Sequence, residues 1–188
     1  DTATGDGFGM AYRAYLPLAM MEMPQFHPTG LATPGNGKKP LCTQGLRGAG
    51  AFLKLIPDDT KDFIREKGYD KDRGSDGPRS TVSRAIALEM LKDPDLLHVW
   101  LDCSPISAGT LVKGYSDFYK ACKENGYDPT REPVPVKPIV HYSNGGVLVG
   151  KHGETLYEGG RGIVRLYFIG EVAYTGLHGA DRFPSNSG

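Results

Sequence analysis

Residues 78–91, Pro-Arg-Ser-Thr-Val-Ser-Arg-Ala-Ile-Ala-Leu-Glu-Met-Leu, open the longest stretch of this sequence that is free of internal glycine and proline. Val82, Ile86 and Met90, with Ala85 and Leu88, recur at helical spacing, so this run predicts an amphipathic helix with one apolar stripe. Arg79 falls in its first turn, where a cation opposes the helix dipole and so has little structural reason to be. Almost everywhere else, 26 glycines and 14 prolines cut the chain into short apolar runs. One firm helix among many short, punctuated segments reads as a loop-rich folded domain and not as disorder.

The remaining elements follow in order. Residues 10–14 suggest a short helix after Thr4-Gly-Asp-Gly, where Asp6 would serve as an N-cap or meet a ribose hydroxyl. Residues 16–26 suggest a buried apolar segment whose methionines Met20, Met21 and Met23 fill core. Residues 57–77 are charged and punctuated by glycine and proline, and predict a surface excursion. Residues 98–102 predict a strand and 111–125 a second helix closed by Gly126. Residues 129–138 form a proline-spaced extended segment leading to His141 and the Gly145-Gly146 pair. A hairpin is expected around residues 150–154. A long apolar strand is expected over 163–172, with Glu171 at its end in the manner of an acid that contacts ligand hydroxyls.

Composition narrows the function classes. Twenty-two basic and twenty-two acidic residues leave no net charge, so nothing sequence-wide draws the chain to nucleic acid or to a membrane surface. No apolar run reaches the ~20 residues of a membrane span. Cys42, Cys103 and Cys122 are odd in number and widely spaced, which fits unpaired thiols in a reducing compartment and neither a disulfide framework nor a metal site. The glycines near residue 5 do not complete a dinucleotide fingerprint, and Gly37-Lys38 does not complete a phosphate loop.

Several polar residues stand where a ligand could use them. Pro28 restrains His27 to an extended backbone beside the turn at Gly30. Thr43 and Arg47, four apart, share a face if their run is helical. In the closing stretch, 174–188, Gly176 and Gly179 bracket Leu177 and His178. Arg182 can fork onto a carboxylate, and Ser185, Asn186 and Ser187 offer short hydrogen-bonding groups. Taken one at a time, each has an equally plain structural reading as a cap, a core histidine or a surface loop.

Their order along the chain is more specific. Thr4-Gly-Asp-Gly, Gln25-Phe-His-Pro-Thr, Thr43-x-x-x-Arg47-Gly, Pro78-Arg79, Ser83-Arg-Ala-Ile, His141-Tyr-x-x-Gly-Gly, Gly170-Glu171, His178-Gly-Ala-x-Arg182 and Ser185-Asn-Ser resemble the succinate dehydrogenase, fumarate reductase and L-aspartate oxidase flavoprotein family. The Gly45-Leu-Arg-Gly-x-Gly-Ala-Phe-Leu and Glu132-Pro-Val-Pro-Val-x-Pro stretches, His152-Gly-x-Thr155 and Tyr174-Thr-Gly-Leu-His-Gly-Ala most resemble its L-aspartate oxidase branch.

The resemblance implies an α+β fold, the substrate-lid, or capping, domain of that flavoprotein fold over residues 31–146. It places an edge strip of the FAD-binding domain at 1–30 and that domain's return strands at 147–188. It also implies that the body of the FAD-binding domain, with its glycine-rich phosphate turn, is missing from this chain, leaving the isolated chain inactive. The implied cofactor is FAD, touched by Asp6, Glu171, Ser185, Asn186 and Ser187. The implied substrate is a C4 dicarboxylate held by His27, Thr43, Arg47, His141 and Arg182. Arg79 is implied as the proton-transfer group, with Arg47 and position 44 in the relay. The reaction implied is oxidation of L-aspartate to iminoaspartate in NAD biosynthesis, in the cytoplasm. One alternative is a fumarate reductase or succinate dehydrogenase flavoprotein with an iron–sulfur subunit in a membrane-associated complex. Another is an inactive or split cap-like subunit.

Four positions depart from the family pattern. Gln44 and Ala49 stand where acids are usual, Ser80 follows Pro78-Arg79 where an Asp is usual, and Asp181 replaces a common Asn. Loss of acids beside arginines leaves such a site more positive and its proton relay weaker, and Asp181 beside Arg182 offers partial compensation. About six residues around 158–163 are extra relative to the family's hairpin.

Overall fold

The computed structural model of the chain describes residues 4–34, 39–157, 162–183 and 186. The chain divides into two compact units, Phe26–Ile139 and Asp1–Gln25 with Val140–Gly188.

The central unit is built on strands β2 (Pro24–Leu31), β3 (Phe52–Lys54), β4 (Val99–Asp102) and β5 (Val134–Ser143), in the order β2-β5-β4-β3. The chain enters and leaves this unit within β2 and β5. β4 pairs antiparallel with both neighbours, Leu53 opposite Leu101 and Val99 opposite Val136. Alternate side chains point to one face of a strand, so Val99 and Leu101 go to the core together with Val134 and Val136, while Trp100 stays half-buried.

Against these strands pack α2 (Gln44–Gly48), α3 (Phe63–Glu66), α4 (Arg79–Lys92), α5 (Ala108–Gly114) and α6 (Ser116–Glu124). The expected stripe of α4 holds, with Val82, Ala85 and Ile86 fully buried and Met90 packed against the same core. Burying each such aliphatic side chain contributes roughly 1.5–3 kcal/mol. The helix expected over 111–125 is instead two. Tyr115 leaves helical geometry at φ −123° and ψ 44°, and its hydroxyl donates to the Gly45 carbonyl at 2.9 Å, so a side-chain tether replaces helical continuity.

Residues 57–77 are not the surface excursion their charge suggests. Phe63 and Ile64 of α3 are buried in the core, and Asp62 caps that helix by accepting from the Ile64 amide at 3.0 Å. The charge was legible, but a two-residue apolar anchor inside a charged run carries no periodicity to reveal it.

The second unit holds α1 (Asp6–Arg13) and the short strands β1 (Leu18–Ala19), β6 (Gly146–Leu148) and β9 (Ala173–Tyr174). β6 pairs antiparallel with β1 and parallel with β9. A hairpin of β7 (Glu154–Leu156) and β8 (Gly162–Tyr167) lies beside it in sequence. The hairpin expected around 150–154 is reduced to a single bridge between Val149 and Thr155. The long strand expected over 163–172 stops at Tyr167, and Glu171 sits on a 3-10 turn, Gly170–Val172. The methionines near residue 20 are not core fillers: Met21 is exposed, Met20 and Met23 are only half-buried, and Met20 has φ +55°. Asp6 is the first helical residue rather than the N-cap, a position taken by Gly5 in a left-handed conformation at φ +78°. Of the extra residues expected around 158–163, residues 158–161 lie outside the described residues and the remaining two open β8.

Two close backbone approaches account for Gly145-Gly146. A Cβ at either position would strike main-chain atoms, of Met20 for Gly145 and of Val172 for Gly146. These glycines let three segments of the second unit meet backbone to backbone just after His141.

Candidate functional site

In the central unit the predicted residues include two buried arginines, Arg47 and Arg79. Thr43 is the N-cap of α2, its Oγ1 accepting from the Gly45 amide at 3.4 Å. That cap starts the helix at Gln44 and places Arg47 in its last turn, inside the protein at 2 % exposure. Arg47 Nη1 donates to the Ser75 carbonyl at 2.6 Å. Its Nε and Nη2, the two donors of the guanidinium edge that grips carboxylates side-on, are buried and hydrogen-bond nothing among the described residues. Burial is the largest influence on this group. With help from Arg79 and Arg73, and opposed by Asp76 and Asp62, it lowers the guanidinium's pKa to about 10.

Arg79 begins α4, is itself buried, and donates through Nε to Oε1 of Gln44 at 3.2 Å. His27, on β2, is fully buried. Its Nδ1 lies 3.3 Å from the Thr29 amide, and the Thr29 hydroxyl donates to the Cys42 carbonyl at 2.7 Å. Cys42, Cys103 and Cys122, distant in sequence, share this core as free thiols. Burial drives all three pKa values up, those of Cys103 and Cys122 to about 12, so none is a ready thiolate.

In the second unit, Arg182 is 5 % exposed, and its guanidinium lies 4.1 Å from the Tyr142 ring centroid. Its Nη1 donates to the Phe183 carbonyl at 3.1 Å, and its Nη2 is 3.4 Å from Nε2 of His141. Asp181 is held by Gln25. The Gln25 amide donates at 2.7 Å both to Asp181 Oδ1 and to the Arg182 carbonyl. Asn144 donates to the Ala180 carbonyl at 2.8 Å. Gln25, Asn144 and Tyr142 were not predicted as site residues. They sit inside the quoted motifs, but their work is to hold the Arg182 segment, which no spacing announces.

A cavity of about 470 Å³ in the same unit is lined by Asp6 and Glu171, by Gly5 and Gly7, and by the apolar Phe8, Val140 and Val172, with His141 at its margin. Glu171 accepts from the Ser143 amide at 2.8 Å, and the Thr4 hydroxyl donates to Asp6 at 2.6 Å. Carboxylates with spare lone pairs beside apolar walls suit a ligand that carries both hydroxyls and a flat ring. Asn186 is exposed, its amide reaching the Phe183 carbonyl at 3.4 Å, while Ser185 and Ser187 lie outside the described residues. Among the described residues no helix is long and apolar enough to cross a membrane, and no cluster of His, Cys, Asp or Glu could hold a metal ion.

Comparison with known proteins places this geometry in context. The model of one protein family, described as an FAD binding domain, matches residues 1–187. The chain is 44% identical over 187 residues to an L-aspartate oxidase of Acinetobacter baylyi, covering 100% of this chain and 32% of that protein. It is 41% identical over 188 residues to an L-aspartate oxidase of Vibrio cholerae, with 100% and 32% covered. Among solved structures it is similar to the E. coli quinol fumarate reductase FrdA, with a TM-score of 0.78 and 35% identity over 98% of this chain and 32% of that one. It is also similar to Sdh1 of Mycobacterium smegmatis, with a TM-score of 0.66 and 31% identity over 98% and 29%. The chain thus spans about a third of the length of the curated relatives it matches. One expectation falls here. The FAD-binding domain is not missing from this chain, because the family so described takes in nearly all of it.

Proposed function

The chain belongs to the FAD binding domain family, and from that membership we propose that it forms part of a FAD-dependent oxidoreductase acting on C4 dicarboxylates, with L-aspartate as the substrate. The observation that carries the substrate class is the buried, hydrogen-bond-free Nε/Nη2 edge of Arg47. A buried guanidinium edge left without acceptors costs several kcal/mol unless a ligand anion completes it, so its retention points to a carboxylate. The relatives at 44% and 41% identity, both L-aspartate oxidases by name, favour aspartate among the diacids.

The roles follow from the residue chemistry. A carboxylate substrate needs cationic and hydrogen-bonding groups. Within the central unit Arg47, Thr43 and His27 supply groups of that kind, and within the second unit, taken by itself, Arg182 and His141 do so. We assign the central unit, Phe26–Ile139, as the substrate cap of the flavoprotein fold. Arg79, buried and held by Gln44, is assigned the proton transfer. The cavity lined by Asp6 and Glu171 fits FAD in kind, its carboxylates accepting from sugar or ribityl hydroxyls and its apolar walls facing a ring. FAD, when bound, supplies the two-electron acceptor; the chain's own residues orient the diacid, exclude water and move the proton.

A second reading, fumarate reduction, draws on the solved structures, where the TM-score of 0.78 is to a fumarate reductase. The test is anaerobic flavin reduction in the full-length protein, with L-aspartate and succinate offered in turn. Bleaching by aspartate supports the first reading, and electron transfer from succinate alone overturns it. Arg47→Met is expected to weaken diacid binding about 10–100-fold, the span of a charge-assisted bidentate contact. Unchanged binding removes Arg47 from the site.

A further inference from the structure

The backbone carbonyl that seats Arg47 is itself held by residues outside every motif quoted above. The Ser75 carbonyl that accepts from Arg47 Nη1 belongs to a residue 2 % exposed and bonded on all its polar atoms. The Ser75 amide donates to Asp62 Oδ2 at 2.7 Å, and its hydroxyl donates to Asp62 Oδ1 at 2.7 Å while accepting from the Leu53 amide at 2.9 Å. Asp62 Oδ1 also accepts from the Ile64 amide at 3.0 Å. One carboxylate therefore ties the start of α3, the 3-10 turn Gly74–Asp76 and, through Ser75, strand β3 into one rigid bracket. Gly74, at φ +57°, is required for it, since a Cβ there would strike Asp62 Oδ2.

We propose that Asp62 is a positioning residue for Arg47: it fixes the Ser75 carbonyl that occupies one corner of the guanidinium, and so aims the Nε/Nη2 edge at a substrate carboxylate. This rests on the reading of Arg47 as a carboxylate clamp. A planar fork gripped at one corner by a fixed acceptor loses its freedom to rotate, so the entropy of ordering it is met before the ligand arrives. The charged segment 57–77, an excursion on composition alone, is on this account the mount of the clamp.

The test is a double-mutant cycle on the dissociation constants of L-aspartate and succinate, measured by titration calorimetry on the full-length, FAD-loaded protein. Asp62→Ala is expected to raise the dissociation constant about tenfold, and less than about twofold once Arg47 is already Met, because positioning acts only through the positioned group. Ser75→Ala, which removes one of the two Asp62 contacts and keeps the carbonyl, is expected to give about threefold and serves if the Asp62 variant does not fold. Equal factors with and without Arg47, or no effect of either variant, overturn the positioning role while leaving the clamp. Unchanged binding in Arg47→Met overturns the clamp and the positioning role together.

Discussion

Arg79 donates through Nε to Oε1 of Gln44 at 3.2 Å, joining the first residues of two helices by a neutral acceptor. A glutamate in that place would accept the same bond with a full charge, stabilise the guanidinium between turnovers, and itself carry a proton; a glutamine can only accept the bond. Gln44→Glu in the full-length protein is expected to raise aspartate turnover by about tenfold or more, within the span of one general acid–base group, while the substrate dissociation constant changes by less than about threefold. Stopped-flow flavin reduction separates the two quantities. Turnover that does not respond means Gln44 does not limit proton movement, and turnover that appears only after the change means the natural chain had given up catalysis.

The lowered pKa of Arg47 sets a second expectation. Burial first, with Arg79 and Arg73 adding to it, brings the group to about 10, so its charge is lost within a reachable pH range. Diacid affinity that depends on this charge is therefore flat through neutral pH and falls as pH rises through about 10, approaching tenfold per pH unit for one required proton. The stability sign is opposite. The unfolded arginine keeps its proton to higher pH, so between the two pKa values this site's unfavourable contribution shrinks as pH rises. Calorimetric titrations from pH 7 to 10.5, with circular dichroism to confirm the fold, check both. Affinity that stays level past pH 10 excludes Arg47 from the clamp.

The candidate site residues were legible in the sequence, and those that hold them were not. Arg47, Arg79, His141 and Arg182 belong to local patterns whose spacing is itself the signal, and the first three are placed by elements their neighbours predict: a threonine cap, a proline-led helix, a strand before two glycines. Asp62, Ser75, Gln25 and Asn144 act across sequence separations of 13 to 157 residues, in large part through bonds to backbone groups that any residue would supply. No pattern within either segment marks such a bond. Elements failed for a related reason. The break at Tyr115 depends on a hydroxyl tether to Gly45, and the end of β8 on a turn that lets Glu171 reach the Ser143 amide.

Gly145 offers a test of backbone packing next to His141. An added Cβ would meet the Met20 main chain, which has no flexible end to move aside. Gly145→Ala is expected to destabilise the protein by about 2–4 kcal/mol, the range for overpacking and strain at a constrained site, and to weaken FAD binding with it, because Val140–Ser143 line the adjoining cavity. Chemical denaturation and flavin fluorescence measure the two. Gly109→Ala is the control, since a Cβ there meets nothing within 4 Å.

Glu89 gives the clearest pH-dependent stability in the central unit. It lies on the buried side of α4, accepting from the Tyr69 hydroxyl at 2.5 Å and pairing with Lys92 at 2.7 Å and Lys67 at 2.9 Å. Burial pushes its carboxyl up, but the three donors outweigh it and hold the pKa at about 2. A carboxyl depressed in the folded state contributes stability that is fully present above its unfolded value, roughly 4.3, and lost as pH falls toward 2. Glu89→Gln keeps the shape and one acceptor but removes the charge. It is expected to cost of order 2 kcal/mol at pH 7 and almost nothing near pH 2, flattening the acid limb of the stability curve. Urea melts at pH 7, 4 and 2.5 make the comparison. A penalty that persists undiminished at the lowest pH assigns the loss to packing rather than to the ionised cluster.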